Sequence, residues 1–258
     1  MELRILAIGD VVGENGTACL ARHLRPVKKM YGVDFTVVNG ENAAGLGILP
    51  YQAEDIFEAG ADVITLGNHT FDKQQVLPLL EENRYVLRPA NYSGRLPGRG
   101  TALYDLGRCS VRVINLQGRC NLNFNCDNPF TAADRILKQE ERATFTLVDF
   151  HAEATSEKLA MGYFLDGRAS AVWGTHTHVQ TADEQILPKG TGYLTDVGMT
   201  GPVHSVIGMP PEQSVEGFLG GLRGRHQVAD GPCALRGVVF TLDGKTGLCT
   251  HVERIQIC

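Results

Sequence analysis

The sequence predicts an α/β fold built on an at least partly parallel sheet, and three observations predict it. Short apolar runs alternate with segments of helical periodicity. The runs are continuously apolar, as strands are when both faces of their sheet are covered. The first three also stop in the same way, at a glycine followed by polar residues: Gly9-Asp10, Gly40-Glu41-Asn42 and Gly67-Asn68-His69. Sheets of this kind bind ligands beyond the carboxyl ends of their strands.

Leu3 to Ile8 is the first strand. A helix from Asn15 to Met30 follows, with Ala18, Leu20, Ala21, Leu24 and Val27 as its apolar positions, and Pro26 is expected to bend or shorten it. Val33 to Val38 reads as the second strand, and Pro50-Tyr51 opens a short helix to Ala59. Asp62 to Leu66 is the third strand, after which Asp72 is expected to cap a helix reaching about Glu82. Tyr85 to Arg88 reads as a strand, and Ala102 to Leu106 pairs with Val111 to Leu116 through the turn Gly107-Arg108. The long connection from Gln117 to Pro129 is expected to cover a site or a subunit contact.

Asn128 or Thr131 starts a helix to about Glu140. Ala143 to Phe150 is a strand that delivers His151, and a helix near Ser156 to Phe164 precedes the run Ala171-Val172-Trp173-Gly174-Thr175-His176-Thr177-His178. The last quarter reads as strands near 184–187, 192–195, 235–242 and 250–256, with one helix near 212–222. Between them lie two glycine-bearing stretches, Asp196 to Pro202 and His204 to Gly208, which suit a lid or phosphate rim, or a plain pair of turns. With no repeat, linker or low-complexity tract, one domain over 1–258 is expected.

A chain of 258 residues, 43% hydrophobic and 21% charged, is long enough to bury about three quarters of its unfolded surface. Its net charge of -5 gives no electrostatic case for a nucleic-acid duplex or an anionic membrane as main partner. No apolar run approaches the roughly 20 residues of a membrane span. The opening Met1-Glu2-Leu3-Arg4 leads straight into a strand, so a cytoplasmic protein is expected. The seven cysteines, Cys19, Cys109, Cys120, Cys126, Cys233, Cys249 and Cys258, are odd in number, scattered, and without a Cys-x-x-Cys pair, the pattern of free thiols. Cys120 and Cys126 lie in a polar loop and are the candidates for reactivity.

Chemistry concentrates where strands stop. Asp10, Glu41, Asn42, Asn68, His151, His176 and His178 offer carboxylates, amides and imidazoles, more than one metal ion can use, and they fit two ions sharing a bridge. A carboxylate bridges well because each oxygen can take a different cation, and Glu41 has the longer reach and the mid-edge position. An extended backbone would send His176 and His178 the same way. The absence of thiolates favours iron, manganese, zinc or magnesium over copper(I) or a cluster. Singly, each residue has an ordinary alternative: Asp10 or Asn68 as a helix cap, His151 as a loop hydrogen-bonder, Glu41 as a solvated acid. Seven such accidents at strand ends would have to coincide.

The blocks Gly9-Asp10, Gly40-Glu41-Asn42, Gly67-Asn68-His69, His151 and Gly174-Thr175-His176-Thr177-His178 resemble, in order, those of the calcineurin-like metallophosphoesterases. Two departures are informative. Asp10-Val11-Val12 stands where the wider group has Asp-x-His, and Glu41-Asn42 stands at the usual bridging Asp. With Ile8-Gly9-Asp10-Val11-Val12-Gly13, Asn39-Gly40-Glu41-Asn42-Ala43-Ala44-Gly45, Asp149-Phe150-His151-Ala152-Glu153-Ala154-Thr155-Ser156-Glu157-Lys158 and Asp196-Val197-Gly198-Met199-Thr200-Gly201-Pro202, they resemble the YmdB-type bacterial phosphodiesterases over nearly the whole chain.

The resemblance implies a four-layer α/β/β/α sandwich with two metal ions, iron first, manganese, magnesium or zinc otherwise. It implies hydrolysis of 2',3'-cyclic nucleotides to 3'-nucleotides. One ion would take Asp10, Glu41, Asn42 and His178, and the other Glu41, Asn68, His151 and His176, with Asn42 replacing the histidine lost at Val12. His69, beside Asn68 but not needed as a ligand, is expected to protonate the leaving sugar oxygen, or else only to position the phosphate. Glu153, Glu157 and Lys158 are expected to support the ligands or start a helix. His23, His204, His226 and His251 stand outside the strand-end pattern, and of these only His204 is a candidate substrate contact. The implied partners are a cyclic nucleotide or other phosphodiester, RNA ends and further copies of the chain, with no membrane. Two other functions use the same residues: a regulatory binding protein with a structural metal centre, and a phosphomonoesterase or nucleotidase.

Overall fold

The computed structural model describes residues 1–122, 125–222, 224 and 227–258. Two sheets pack face to face, with helices on the outside. The first sheet holds β1 (Glu2–Ile8), β2 (Asp10–Val11), β3 (Phe35–Asn39), β4 (Val63–Thr65) and β5 (Val86–Leu87), joined by β12 (Met199–Pro202), β13 (Cys233–Asp243) and β14 (Cys249–Ile257). The second holds β6 (Thr101–Asp105), β7 (Ser110–Gln117), β8 (Phe145–His151), β9 (Ala171–Thr175), β10 (Gln185–Ile186) and β11 (Gly192–Leu194).

Each sheet has a parallel centre. β1, β3, β4 and β5 run together, and so do β7, β8, β9 and β11. On its other side β1 pairs antiparallel with β13, from Glu2 opposite Asp243 to Ile8 opposite Gly237. The alternation within β1 shows why its sequence is apolar throughout. Leu3, Ile5 and Ala7 enter the core between the sheets, whereas Leu6 and Ile8 face Leu20 and Leu24 of α1 (Gly13–Tyr31). Burying each such Leu or Ile stabilises the fold by about 1.5–3 kcal/mol.

α2 (Pro50–Ala59) and α3 (Val76–Glu82) share the outer face of the first sheet with α1, through Ile56 and Leu80 among others. α4 (Pro129–Gln139) and α5 (Thr155–Leu165) cover the second through Ala133, Ile136 and Met161. Between the sheets Trp173 lies against Phe240, ring centroids 5.9 Å apart. The order of layers is therefore α/β/β/α. α6 (Pro211–Phe218) buries none of its residues.

Three expectations change. Pro26 does not shorten α1, which runs on to Tyr31 and stops at Gly32 with φ 62°. Pro26 and Arg22 one turn before it are both exposed, so the carbonyl that loses its partner meets water. Asp72 does not cap a helix: α3 starts at Val76, and the Asp72 carboxylate is drawn instead to the His69 ring, 2.7 Å away. Nor is 196–202 all loop, because Met199 and Thr200 pair in parallel with Asp10 and Val11. Its glycines and polar residues give no apolar run, and the strand exists through its partner.

Candidate metal centre

The carboxyl ends of both sheets meet at one place. Asp10 comes from β2, Glu41 and Asn42 follow β3, Asn68 and His69 follow β4, His151 ends β8, and His176 and His178 follow β9. Gly67 makes the close approach feasible, since a Cβ there would lie 2.3 Å from the His151 ring and 2.4 Å from Glu41 Oε2. Extended backbone does not aim the two C-terminal histidines, as alternation suggested. β9 ends at Thr175, and His176 and His178 adopt φ values of 100° and 65°, so two left-handed kinks turn both rings inward. Such strain persists only where neighbours hold it. Asp10 Oδ2 accepts the His176 N–H at 3.1 Å, and Asp196 Oδ2 accepts the Thr177 N–H at 3.2 Å and its hydroxyl at 2.7 Å.

Glu41, His151 and His176 each bring a ligand atom within 4.8 Å of the others. His151 Nε2 stands 2.9 Å from both Glu41 Oε1 and Asn68 Oδ1, and 3.1 Å from His176 Nδ1. Asn42 Nδ2 is 3.3 Å from Glu41 Oε1 and 3.2 Å from His178 Nε2. Asp10 Oδ1 lies 3.7 Å from His178 Nε2 and has no hydrogen-bond partner although it is buried. All seven expected ligands are thus brought together.

Each histidine gives one nitrogen to the cluster and the other to an outer partner. His178 Nδ1 donates to the Ile207 carbonyl at 2.7 Å. His176 Nε2 is 3.1 Å from Glu153 Oε2, and His151 Nδ1 is 3.0 Å from Thr175 Oγ1. The Thr175 hydroxyl donates to Asp149 Oδ1 at 2.7 Å, and Thr65 donates to Asp149 Oδ2 at 2.5 Å. Outer partners of this kind fix ring orientation and raise ligand basicity at metal sites.

The cluster is rich in buried carboxylates. Burial works to raise the Glu41 carboxyl, but the charge and hydrogen bond of His151 and the contacts of His69 outweigh it and hold it at about 2. Burial likewise opposes charge on His151, yet the carboxylates of Glu41, Asp10 and Asp149 push it up to about 9. Desolvation lifts Asp10, and lifts Asp149 to about 6. Burial first, then the neighbouring His151, depress His176 to about 3. Buried carboxylates in this number call for compensating cations. An orphaned Asp10 oxygen among imidazole and amide groups, with no thiol in the set, fits hard or borderline metal ions.

Above the cluster opens a cleft of about 350 Å³, walled by His69, Glu153, Leu46, Ile207 and Met209. His204, proposed from sequence as a substrate contact, is exposed and not part of this wall. Its neighbours are, because Val206 and Met209 pair around the turn Ile207-Gly208. His226 and residues 123 and 124 of the 117–129 connection lie outside the described residues. Asp149 and Thr175 escaped sequence reasoning as site residues; the signal was spacing, since Asp149 precedes His151 by two positions and shares its strand face. Lys158, expected only as support, is 1% exposed and bonds Asp196 Oδ2 at 2.6 Å. Glu157, beside it, accepts the Arg119 and Cys120 N–H groups. The first turn of α5 therefore ties down the chain after β7 and the kinked chain after β9.

This layering places the chain in a known fold class. A solved putative 5'-nucleotidase from Staphylococcus aureus shares the fold, with a TM-score of 0.61 at 17% identity over 99% of this chain and 54% of that one. Nearer relatives narrow the class. The family model for YmdB-like proteins matches residues 6–255, and the chain belongs to that family. It is 46% identical to the 2',3'-cyclic-nucleotide 2'-phosphodiesterase of Bacillus subtilis over 99% of this chain and 97% of that protein. It also superimposes with a TM-score of 0.94, at 35% identity over 100% of this chain and 94% of the other, on a structure described as a novel phosphatase from Mycoplasma pneumoniae.

Proposed function

We propose that the chain is a metal-dependent phosphodiesterase that hydrolyses 2',3'-cyclic nucleotides to 3'-nucleotides. The observation that carries the reading is the convergence of Glu41, His151 and His176, with the orphaned Asp10 oxygen near them, Glu41 and His176 opening on a cleft that His69 also lines. The Bacillus subtilis relative bears the name of that activity. Asp10, Glu41, Asn42 and His178 would hold one ion, and Glu41, Asn68, His151 and His176 the other, with iron the first choice and manganese, magnesium or zinc the alternatives. Two such ions supply charge to hold an anionic phosphate and to lower the pKa of bound water.

The chain's own residues do the rest. Asp10 and Asp196 hold the kinked His176 and Thr177 amides, while Ile207, Glu153 and Thr175 fix the three imidazoles from outside. Asn42 reaches both Glu41 and His178 with one amide, whose oxygen and nitrogen are nearly the same shape. His69 keeps Nδ1 on Asp72, which leaves Nε2 to deliver a proton to the departing sugar oxygen. A purely structural metal centre has no use for a proton donor buttressed by a carboxylate at the open side.

RNA ends carrying the same cyclic phosphate belong to the proposed substrate class. The reading includes action in the cytoplasm, where nucleotides and RNA ends are found, and among the described residues no helix is long and apolar enough to cross a membrane. It also includes self-association, which the exposed apolar Phe218, Leu219 and Leu222 support. Product identification with 2',3'-cyclic AMP tests the central statement. The wild type is expected to yield the 3'-nucleotide and Glu41→Gln none; a metal-loaded wild type that yields no product overturns it.

A further inference from the structure

Ile207 is an unusual residue for its place. It occupies the first central position of a two-residue turn in which Val206 and Met209 exchange backbone hydrogen bonds of 2.9 and 3.0 Å. Both central residues have positive φ, Ile207 at 47° and Gly208 at 103°. Turns of this geometry favour Asn-Gly or Asp-Gly, because a β-branched side chain clashes with its own backbone in the left-handed region. The carbonyl of Ile207 accepts the His178 Nδ1–H, a task that any residue's backbone would perform. The isobutyl-sized side chain is therefore not needed for the turn, and it works against it.

Folding does not explain it either. Ile207 is 52% exposed, and its side chain belongs to none of the three buried core clusters. It lines the cleft together with Met209, Leu46, His69, Glu153 and His178, and also borders an apolar hollow beside α6 with Phe218. A strained residue that serves neither turn nor core, placed at the mouth of a site, points to a function at that site.

We infer that Ile207 is a specificity-determining residue, whose side chain, with Met209 and Leu46, packs against the nucleobase when the cyclic phosphate sits over the ligand cluster. The inference rests on the phosphodiesterase reading and adds a base-recognising apolar wall to it. That wall has no hydrogen-bonding side chain, so it accepts purines and pyrimidines by surface contact, larger bases gaining more. It also means that a compound with ribose and cyclic phosphate but no base binds less well, although the same bonds break.

The experiment compares 2',3'-cyclic AMP with base-free ribose 2,3-cyclic phosphate in the metal-loaded wild type and in Ile207→Asn, the substitution that this turn favours. The nucleotide's advantage in kcat/KM over the base-free compound is expected to fall about 5- to 20-fold in the variant, seen mainly as a rise in KM for the nucleotide. The melting temperature is expected to stay level or rise, since the turn is relieved of strain. An unchanged advantage in the active variant overturns the inference alone, and so does a melting temperature lowered by more than about 4 °C, which would assign the side chain to packing. A wild type inactive on both compounds overturns the phosphodiesterase reading and this inference with it.

Discussion

His69 Nδ1 and Asp72 Oδ2 stand 2.7 Å apart at the mouth of the cleft, with the His69 main-chain N–H bonded to Glu41 Oε2 at 3.1 Å. One residue thus links a charged partner outside the ligand cluster to the buried Glu41 carboxylate inside it. The pairing fixes which ring nitrogen faces the cleft. His69→Ala is expected to retain its metals and lower kcat about 100- to 10,000-fold. Asp72→Asn should lower kcat by a smaller factor and leave metal content intact. Metal analysis together with steady-state turnover checks both, and a fully active His69→Ala enzyme would refute the proton-donor role.

Glu41 touches His151, Asn42 and the His69 amide at once, and burial leaves it no solvent to fall back on. Glu41→Gln is expected to drop metal content from about two ions per chain to one or fewer, and activity with it. Stripping the wild type with a chelator should lower its melting temperature by about 5–10 °C, on the footing that ligand at 100 times its Kd contributes about 2.7 kcal/mol. Calorimetry before and after re-addition of iron or manganese reads this directly.

Lys158 and Asp196 form an ion pair in which both side chains are 1% exposed. Removing one partner from such a pair costs about 3–5 kcal/mol, because the other charge stays buried and uncompensated. Lys158→Met should therefore be destabilised by that amount in chemical denaturation. The double change Lys158→Met with Asp196→Asn should recover part of the loss.

Cys120 and Cys258 are exposed, whereas burial pushes the Cys19 and Cys249 thiols up to about 11. At pH 8 only about one in a thousand of a thiol with that pKa is ionised, and the thiolate is the reactive form. A thiol reagent should modify Cys120 and Cys258 in the native protein, and Cys19 and Cys249 only after unfolding. Peptide mapping at short reaction times distinguishes the two sets.

Much of this architecture was legible in the residues. The apolar runs ending at Gly9, Gly40 and Gly67 marked three parallel strands, and the polar residues just past them proved to be neighbours in space. Legibility failed where a partner, not the local sequence, sets the conformation. β12 pairs with β2 across nearly 190 residues, and nothing in Met199-Thr200-Gly201 announces a strand. The positive φ of His176 and His178 depends on Asp10 and Asp196 receiving adjacent amides, a relation that no spacing rule contains. Asp72 looked like a cap because short acids often are, but a nearby imidazole competed more strongly.

The pairing of β1 with β13 has a consequence for biosynthesis. Ile8 finds its partner in Gly237, and Glu2 finds its own in Asp243, so β1 acquires its second neighbour only after β13, far along the chain, has been translated. Until then β1 offers a bare apolar edge on the nascent chain, the kind of edge that recruits foreign strands. A ribosome-bound chain that has not yet produced β13 is therefore expected to be more prone to aggregate than the folded protein, and truncation before Cys233 should prolong that state.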